Sequence, residues 1–127
     1  MAELIDVVLV DDAAELRSML KMLLERTGRI RGVAEAGDAA QADALVLETS
    51  PDAVLVDLAM PGGGALELIA RLREKFPALA LVVLSGYPAS GTADRCLQHG
   101  ADRYLEKGVA VSDLLAVLVD TVEGRRT

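Results

Sequence analysis

The sequence predicts an α/β domain in three layers: a doubly wound, five-stranded parallel sheet with helices on both faces. Three observations lead there. Apolar runs rich in Val and Leu alternate with stretches of helical spacing, five times over, at intervals of about 25 residues, the length of one strand and one crossover helix. The first, third and fourth runs are almost continuously apolar, as strands buried on both faces must be. The chain has 127 residues, 52% of them hydrophobic, which is the size of one domain with its own core.

Taken in order, the strands fall at residues 4–10, 30–36, 53–56, 79–84 and 103–105. The second run is broken by polar residues and the fifth, within ADRYLE, is the weakest. Both are read as edge strands. The first helix carries Leu16, Met19, Leu20, Leu23 and Leu24 at i, i+3, i+4, i+7, i+8 spacing, which predicts an apolar face turned to the core. Gly28 closes it. Asp38 is the expected N-cap of a helix reaching about Thr49. The stretch 64–76 presents Leu66, Ile69 and Leu72 and stops before Pro77. Residues 89–99 make a poor helix, with Ser90, Gly91 and Thr92 near its start and few large apolar side chains. The last helix starts at Ser112 or Asp113 and uses Leu114, Leu115, Leu118 and Val122 as its core face. The domain is therefore expected over 1–122, with 123–127 as a tail or the start of a linker.

Composition excludes several functions. Aromatic residues amount to 2%, too few for a stacking-based binder of single strands. A formal net charge of −7 repels phosphate backbones and anionic lipid, so no direct nucleic-acid or membrane binding is expected of this domain. One cysteine, Cys96, allows no internal disulfide, and with one histidine, His99, a zinc site is not expected. The apolar runs stop short of the roughly 20 residues a membrane span needs. The acidic N-terminus is unlike a signal peptide. The expected location is the cytoplasm.

Ligands of an open parallel sheet bind beyond the carboxyl ends of its strands. At those ends stand Asp11 and Asp12 (first strand), Asp57 (third), Ser85 (fourth) and Lys107 (fifth). Each has an ordinary reading alone: Asp12 as a helix cap, Asp57 as a turn residue, Ser85 within a turn, Lys107 as a solvated surface lysine. Their coincidence at four strand ends favours a site. Three carboxylates held together repel one another and call for a cation or a proton. An all-oxygen set suits a hard octahedral ion such as Mg²⁺. Lys107 would add positive charge and the Ser85 hydroxyl could bind phosphoryl oxygens. Such parts suit phosphoryl transfer, with Asp57 as the nucleophile that becomes an aspartyl-phosphate.

This set, with Tyr104 three residues before the lysine, resembles the receiver domain of two-component response regulators. VVLVDDAAELR, PDAVLVDLAMPGGGALELI, VVLSGYPA and QHGADRYLEKG carry the resemblance over essentially the whole chain. It implies a flavodoxin-like fold with strand order 2-1-3-4-5. It implies Mg²⁺ held by Asp11, Asp12, Asp57 and the backbone carbonyl of Ala59. Phosphorylation would fall on Asp57, from a histidine kinase or phosphotransfer protein. Ser85 and Lys107 would bind the phosphoryl group, and Ser85 and Tyr104 would form the switch. The face of the fourth helix, fifth strand and fifth helix would be the output, and a phosphorylation-dependent dimer is open to such a domain. Two positions depart from the family pattern. Gly108 follows the lysine where many relatives have Pro, so a trans peptide is expected there. Ala59 stands where relatives often carry a polar or larger side chain, which bears on the lifetime of the phosphoryl group.

Two other readings stand beside this signalling module. A pseudo-receiver would work by protein contacts alone, but need not keep the full Asp, Ser and Lys set. An aspartyl-phosphate phosphatase would use a second acid two residues beyond its nucleophile, where this chain has Ala59. The sequence thus favours a switch over a turnover enzyme and leaves the output domain, kinase and stimulus unnamed.

Overall fold

The computed structural model describes residues 4–58, 60, 64–86 and 91–126. Five strands and five helices alternate: β1 (Ile5–Val10), α1 (Ala14–Glu25), β2 (Ile30–Ala36), α2 (Ala39–Thr49), β3 (Ala53–Asp57), α3 (Ala65–Lys75), β4 (Ala80–Ser85), α4 (Thr92–His99), β5 (Arg103–Glu106) and α5 (Val111–Arg126). The strands form one parallel sheet in the order β2-β1-β3-β4-β5. The broken second run and the weak fifth are the two edges, as their polarity predicted.

Side chains alternate across the sheet and build two cores. Val8, Val10, Val54, Val56, Leu81 and Val83 pack with α2, α3 and α4. Ile5, Val7, Leu9, Leu55 and Val82 pack with Leu24 of α1 and Leu114, Leu118 and Val122 of α5. Asp38 caps α2 as expected, its Oδ1 accepting from the Gln41 amide at 2.8 Å. Among the described residues no helix is long and apolar enough to cross a membrane.

α1 departs from its expected packing. Leu24 is buried and Leu20 half-buried, but Leu16 and Met19 are each 50% exposed. The inward face is Arg17, Leu20 and Leu24, at i, i+3, i+7 spacing. The helix is turned so that Arg17 reaches Glu35 on β2, at 3.0 Å. The cost of exposing two apolar side chains is set against burying a paired arginine.

α5 also runs further than its apolar spacing predicts, so residues 123–126 are helical. Charges hold the added turn. Arg125 pairs with Asp102, and Arg126 meets Asp52 at 2.7 Å.

The end of the sheet away from the carboxyl termini is joined around Asp102. Its carboxylate accepts from Arg73 Nη2 and the Leu81 amide, each at 2.8 Å, and from Arg125. Arg73 in turn donates to the carbonyls of Gly100 at 2.9 Å and Leu79 at 2.7 Å. Gly100, at φ +118°, must be glycine: a Cβ there would lie 2.8 Å from Arg73 Cβ.

Candidate functional site

The strands end where the acids begin. β3 lies at the middle of the sheet and its last residue, Asp57, is buried. β1 runs beside it, and Asp11 and Asp12 follow immediately. Parallel pairing in register therefore delivers all three carboxylates to one rim. One oxygen from each lies within 4.8 Å of the others.

Lys107 closes the other side. Its Nζ stands 3.2 Å from Asp57 Oδ2 and 3.8 Å from Asp11 Oδ2. The loop that carries it is fixed by its own backbone, since the Lys107 amide donates to the Ser85 carbonyl at 2.7 Å. Gly108 follows at φ +102°, a left-handed conformation that glycine adopts without strain. No peptide is cis among the described residues. The trans link expected after Lys107 is therefore present, with a glycine turn at position 108.

Asp11 is pinned in several ways. Its amide donates to the Ala36 carbonyl at 3.0 Å, and its Oδ1 accepts from the Ala13 amide at 2.9 Å. Burial raises its pKa above the ordinary carboxylate value, and the charge of Asp57 adds to the rise. The Ala13 amide and Lys107 pull the other way. Asp12 is exposed, and no side chain caps α1. The helix-cap reading of Asp12 is therefore not the one the fold uses, and its carboxylate is left to the cluster.

The cluster fits Mg²⁺ by its chemistry and its spacing. All the donors are carboxylate oxygens, as a hard ion prefers. In an octahedral Mg²⁺ site adjacent ligands lie about 3 Å apart and opposite ones about 4.2 Å, so three oxygens within 4.8 Å of one another are near enough to close on one ion. The Ala59 carbonyl, implied as a further ligand, lies outside the described residues.

Ser85 is fully buried at the end of β4. By strand alternation it shares a face with Leu81 and Val83, the face that packs with α3 and α4. Tyr104, half-buried, pairs with Val83 and packs against the same core. Ser85 and Tyr104 thus face α4 together, whereas the carboxylates stand at the rim.

Two participants escaped sequence reading, Arg17 and Glu35. Arg17 Nε donates to Glu35 Oε1, and its Nη1 donates to the carbonyl of Asp11. The available signal was an arginine placed three and seven residues before Leu20 and Leu24, on the face that turns inward. Cys96 is fully buried, which raises its thiol pKa. His99 bonds the Arg95 carbonyl at 2.7 Å in the last turn of α4.

Comparisons with known proteins agree with this geometry. The response regulator receiver domain family matches residues 7–119. The nitrate/nitrite response regulator protein NarL of Escherichia coli K12 is 36% identical over 118 residues, 93% of this chain and 55% of that protein. The photosynthetic apparatus regulatory protein RegA of Rhodobacter capsulatus is 33% identical, over 88% of this chain and 60% of its own length. The chain thus spans little more than half of these relatives. Among solved structures, a LuxR-family two-component response regulator from Aurantimonas sp. SI85-9A1 superposes with a TM-score of 0.90 at 31% identity, covering 97% of this chain and 88% of that one. The signal receiver domain of the putative response regulator NarL from Mycobacterium tuberculosis gives 0.88 at 28% identity, covering 96% and 98%. Sheet order, rim chemistry and these matches agree, and the chain belongs to the response regulator receiver domain family of two-component systems.

Proposed function

We propose that this receiver domain is a phosphoacceptor switch in which Asp57 takes a phosphoryl group from the phosphohistidine of a histidine kinase or phosphotransfer protein. The observation that carries the reading is the placement of Lys107 Nζ 3.2 Å from Asp57 Oδ2, beside two further carboxylates. A carboxylate oxygen of Asp57 forms the new O–P bond as the donor's N–P bond breaks. The electron pair stays on the donor nitrogen. Mg²⁺ would be held by Asp11, Asp12 and Asp57, with the Ala59 carbonyl as the further ligand the resemblance implies, and when bound it would supply positive charge against the phosphoryl oxygens. Lys107 supplies a second positive charge and the Ser85 hydroxyl a hydrogen bond. Alanine at position 59 offers no general acid, which favours a signalling role over phosphatase turnover.

The output follows from placement. New acceptor oxygens at Asp57 draw the Ser85 hydroxyl toward the rim. That motion leaves volume on the α4 side of the sheet, and the Tyr104 ring is the large side chain beside it. α4 is short and buries only Cys96, so it is the helix least costly to shift. A beryllofluoride adduct with Mg²⁺ should change amide exchange in Thr92–His99 and around Tyr104, and leave Ala39–Thr49 nearly unchanged. Ser85→Ala should still accept a phosphoryl group but lose most of that distant response. Changes confined to residues beside Asp57 would exclude this output mechanism.

α1 starts two residues past Asp12, so a donor protein seated on the rim lies close to this helix. Leu16, Met19 and Met22 are exposed apolar residues on one side of this helix. We assign this side to docking of the phosphodonor protein. Met19→Asp is expected to slow transfer from the partner about tenfold or more, a loss typical of a buried interface anchor. Phosphorylation by a small phosphodonor should proceed unchanged. Equal slowing of both reactions would show that the change acts on the site itself.

A further inference from the structure

Arg17 stands behind the acidic cluster without joining it. Its side chain is 16% exposed, although α1 lies on the surface. With Asp11 and Asp57 it lines a cavity of about 20 Å³ beneath the rim, room for one water. Its guanidinium is held at both ends: Nε on Glu35 Oε1 and Nη1 on the Asp11 carbonyl. A Cβ at position 37 would lie 3.4 Å from Nη1, so the group packs against the Gly37 backbone. Glu35 is itself anchored to α1, by Ser18 Oγ at 3.3 Å and Lys21 Nζ at 3.9 Å.

We propose that Arg17 is a positioning residue for the metal, holding the Asp11 peptide so that the Asp11 carboxylate faces Asp12 and Asp57 before the ion arrives. The proposal rests on the phosphoacceptor reading of the site. With the amide of Asp11 on Ala36, its Oδ1 on Ala13 and its carbonyl on Arg17, the residue has little freedom left except at Oδ2. Orientation of this kind raises metal affinity because less rearrangement accompanies binding. The Glu35 pairing has a separate consequence. It keeps a mobile guanidinium fork, which matches a carboxylate well, away from the three carboxylates that the ion needs.

The sign of the effect separates positioning from charge. Arg17 is a cation near a cation site, so by charge alone its removal would tighten Mg²⁺ binding. Positioning predicts the reverse. Mg²⁺ titration of the whole chain by calorimetry should show affinity about tenfold weaker in Arg17→Ala, the lower end of losses seen when groups that orient metal ligands are removed. At saturating Mg²⁺ the phosphorylation rate from a small phosphodonor should return to that of the unchanged chain. Glu35→Gln should also weaken Mg²⁺, because the released fork competes for the carboxylates. This second variant keeps the test available if Arg17→Ala does not fold. Unchanged or tighter binding in a folded Arg17→Ala overturns the proposal, as does a saturated rate that stays depressed. Asp12→Ala is the control and should abolish binding. If the unchanged chain itself shows no Mg²⁺ affinity, the phosphoacceptor reading fails and this proposal with it. If that chain binds and Arg17→Ala binds equally, only the role of Arg17 is lost.

Discussion

Asp57→Asn is expected to gain no phosphoryl group under conditions in which the unchanged chain gains one. The measurement is intact mass after incubation with Mg²⁺ and a small phosphodonor. Three facts single out Asp57. It ends the central strand, it is 5% exposed, and Lys107 lies nearer to it than to Asp11. A carboxylate oxygen can attack phosphorus while the adjacent cation balances the growing charge. The amide of asparagine is neutral and a poor nucleophile, so the loss should be complete. The variant should also melt higher than the unchanged chain in the absence of metal. Burial and the charge of Asp57 both raise the pKa of Asp11, so removing that charge lowers the free energy of an ionised, metal-free cluster. Stoichiometric phosphorylation of Asp57→Asn would move the acceptor to Asp11 or Asp12.

Asp102→Ala is expected to be the most damaging single change outside the cores. One carboxylate, 13% exposed, holds Arg73, Arg125 and the Leu81 amide. Through them it joins β4, β5, α3 and the end of α5. Removal leaves two guanidinium groups facing each other and the Leu81 amide without its acceptor. Burial already pulls the pKa of Arg73 below its ordinary value, against the attraction of Asp102. Breaking such a junction costs roughly 3 kcal/mol, the low end for buried pairs, since the site is not fully enclosed. For a domain of this size that is on the order of 10 °C in melting temperature. Urea unfolding measures it. Asp102→Asn should lose less, because its carbonyl oxygen can still accept from Leu81. Arg31→Ala, which breaks an exposed pair with Asp6, should barely move the midpoint. If Asp102→Ala shifts the midpoint no more than Arg31→Ala does, Asp102 is a surface pair in effect.

Much of the molecule is legible in the residues. Continuous apolar runs identify β1, β3 and β4 as strands buried on both faces, and polar interruptions identify β2 and β5 as edges. Once the strands are placed, Asp11, Asp12, Asp57, Ser85 and Lys107 fall at their carboxyl ends with no further assumption. Strand order is a different matter, because periodicity does not say which strands are neighbours. It came from the family resemblance, and the structure has that order.

The rotation of α1 was not legible. Five apolar residues at helical spacing say which side chains share a face, but not which face meets the sheet. The choice depends on Glu35, eighteen positions beyond Arg17, and on the Asp11 carbonyl. A paired arginine turned inward leaves Leu16 and Met19 outside. The end of α5 and the Asp102 junction were hidden for the same reason. Arg125 meets Asp102 across 23 positions and Arg126 meets Asp52 across 74. Burial periodicity is a local property of the chain and can be read one element at a time. Ion pairs between distant elements take their energy from proximity and lowered solvation, and both exist only after the chain has folded.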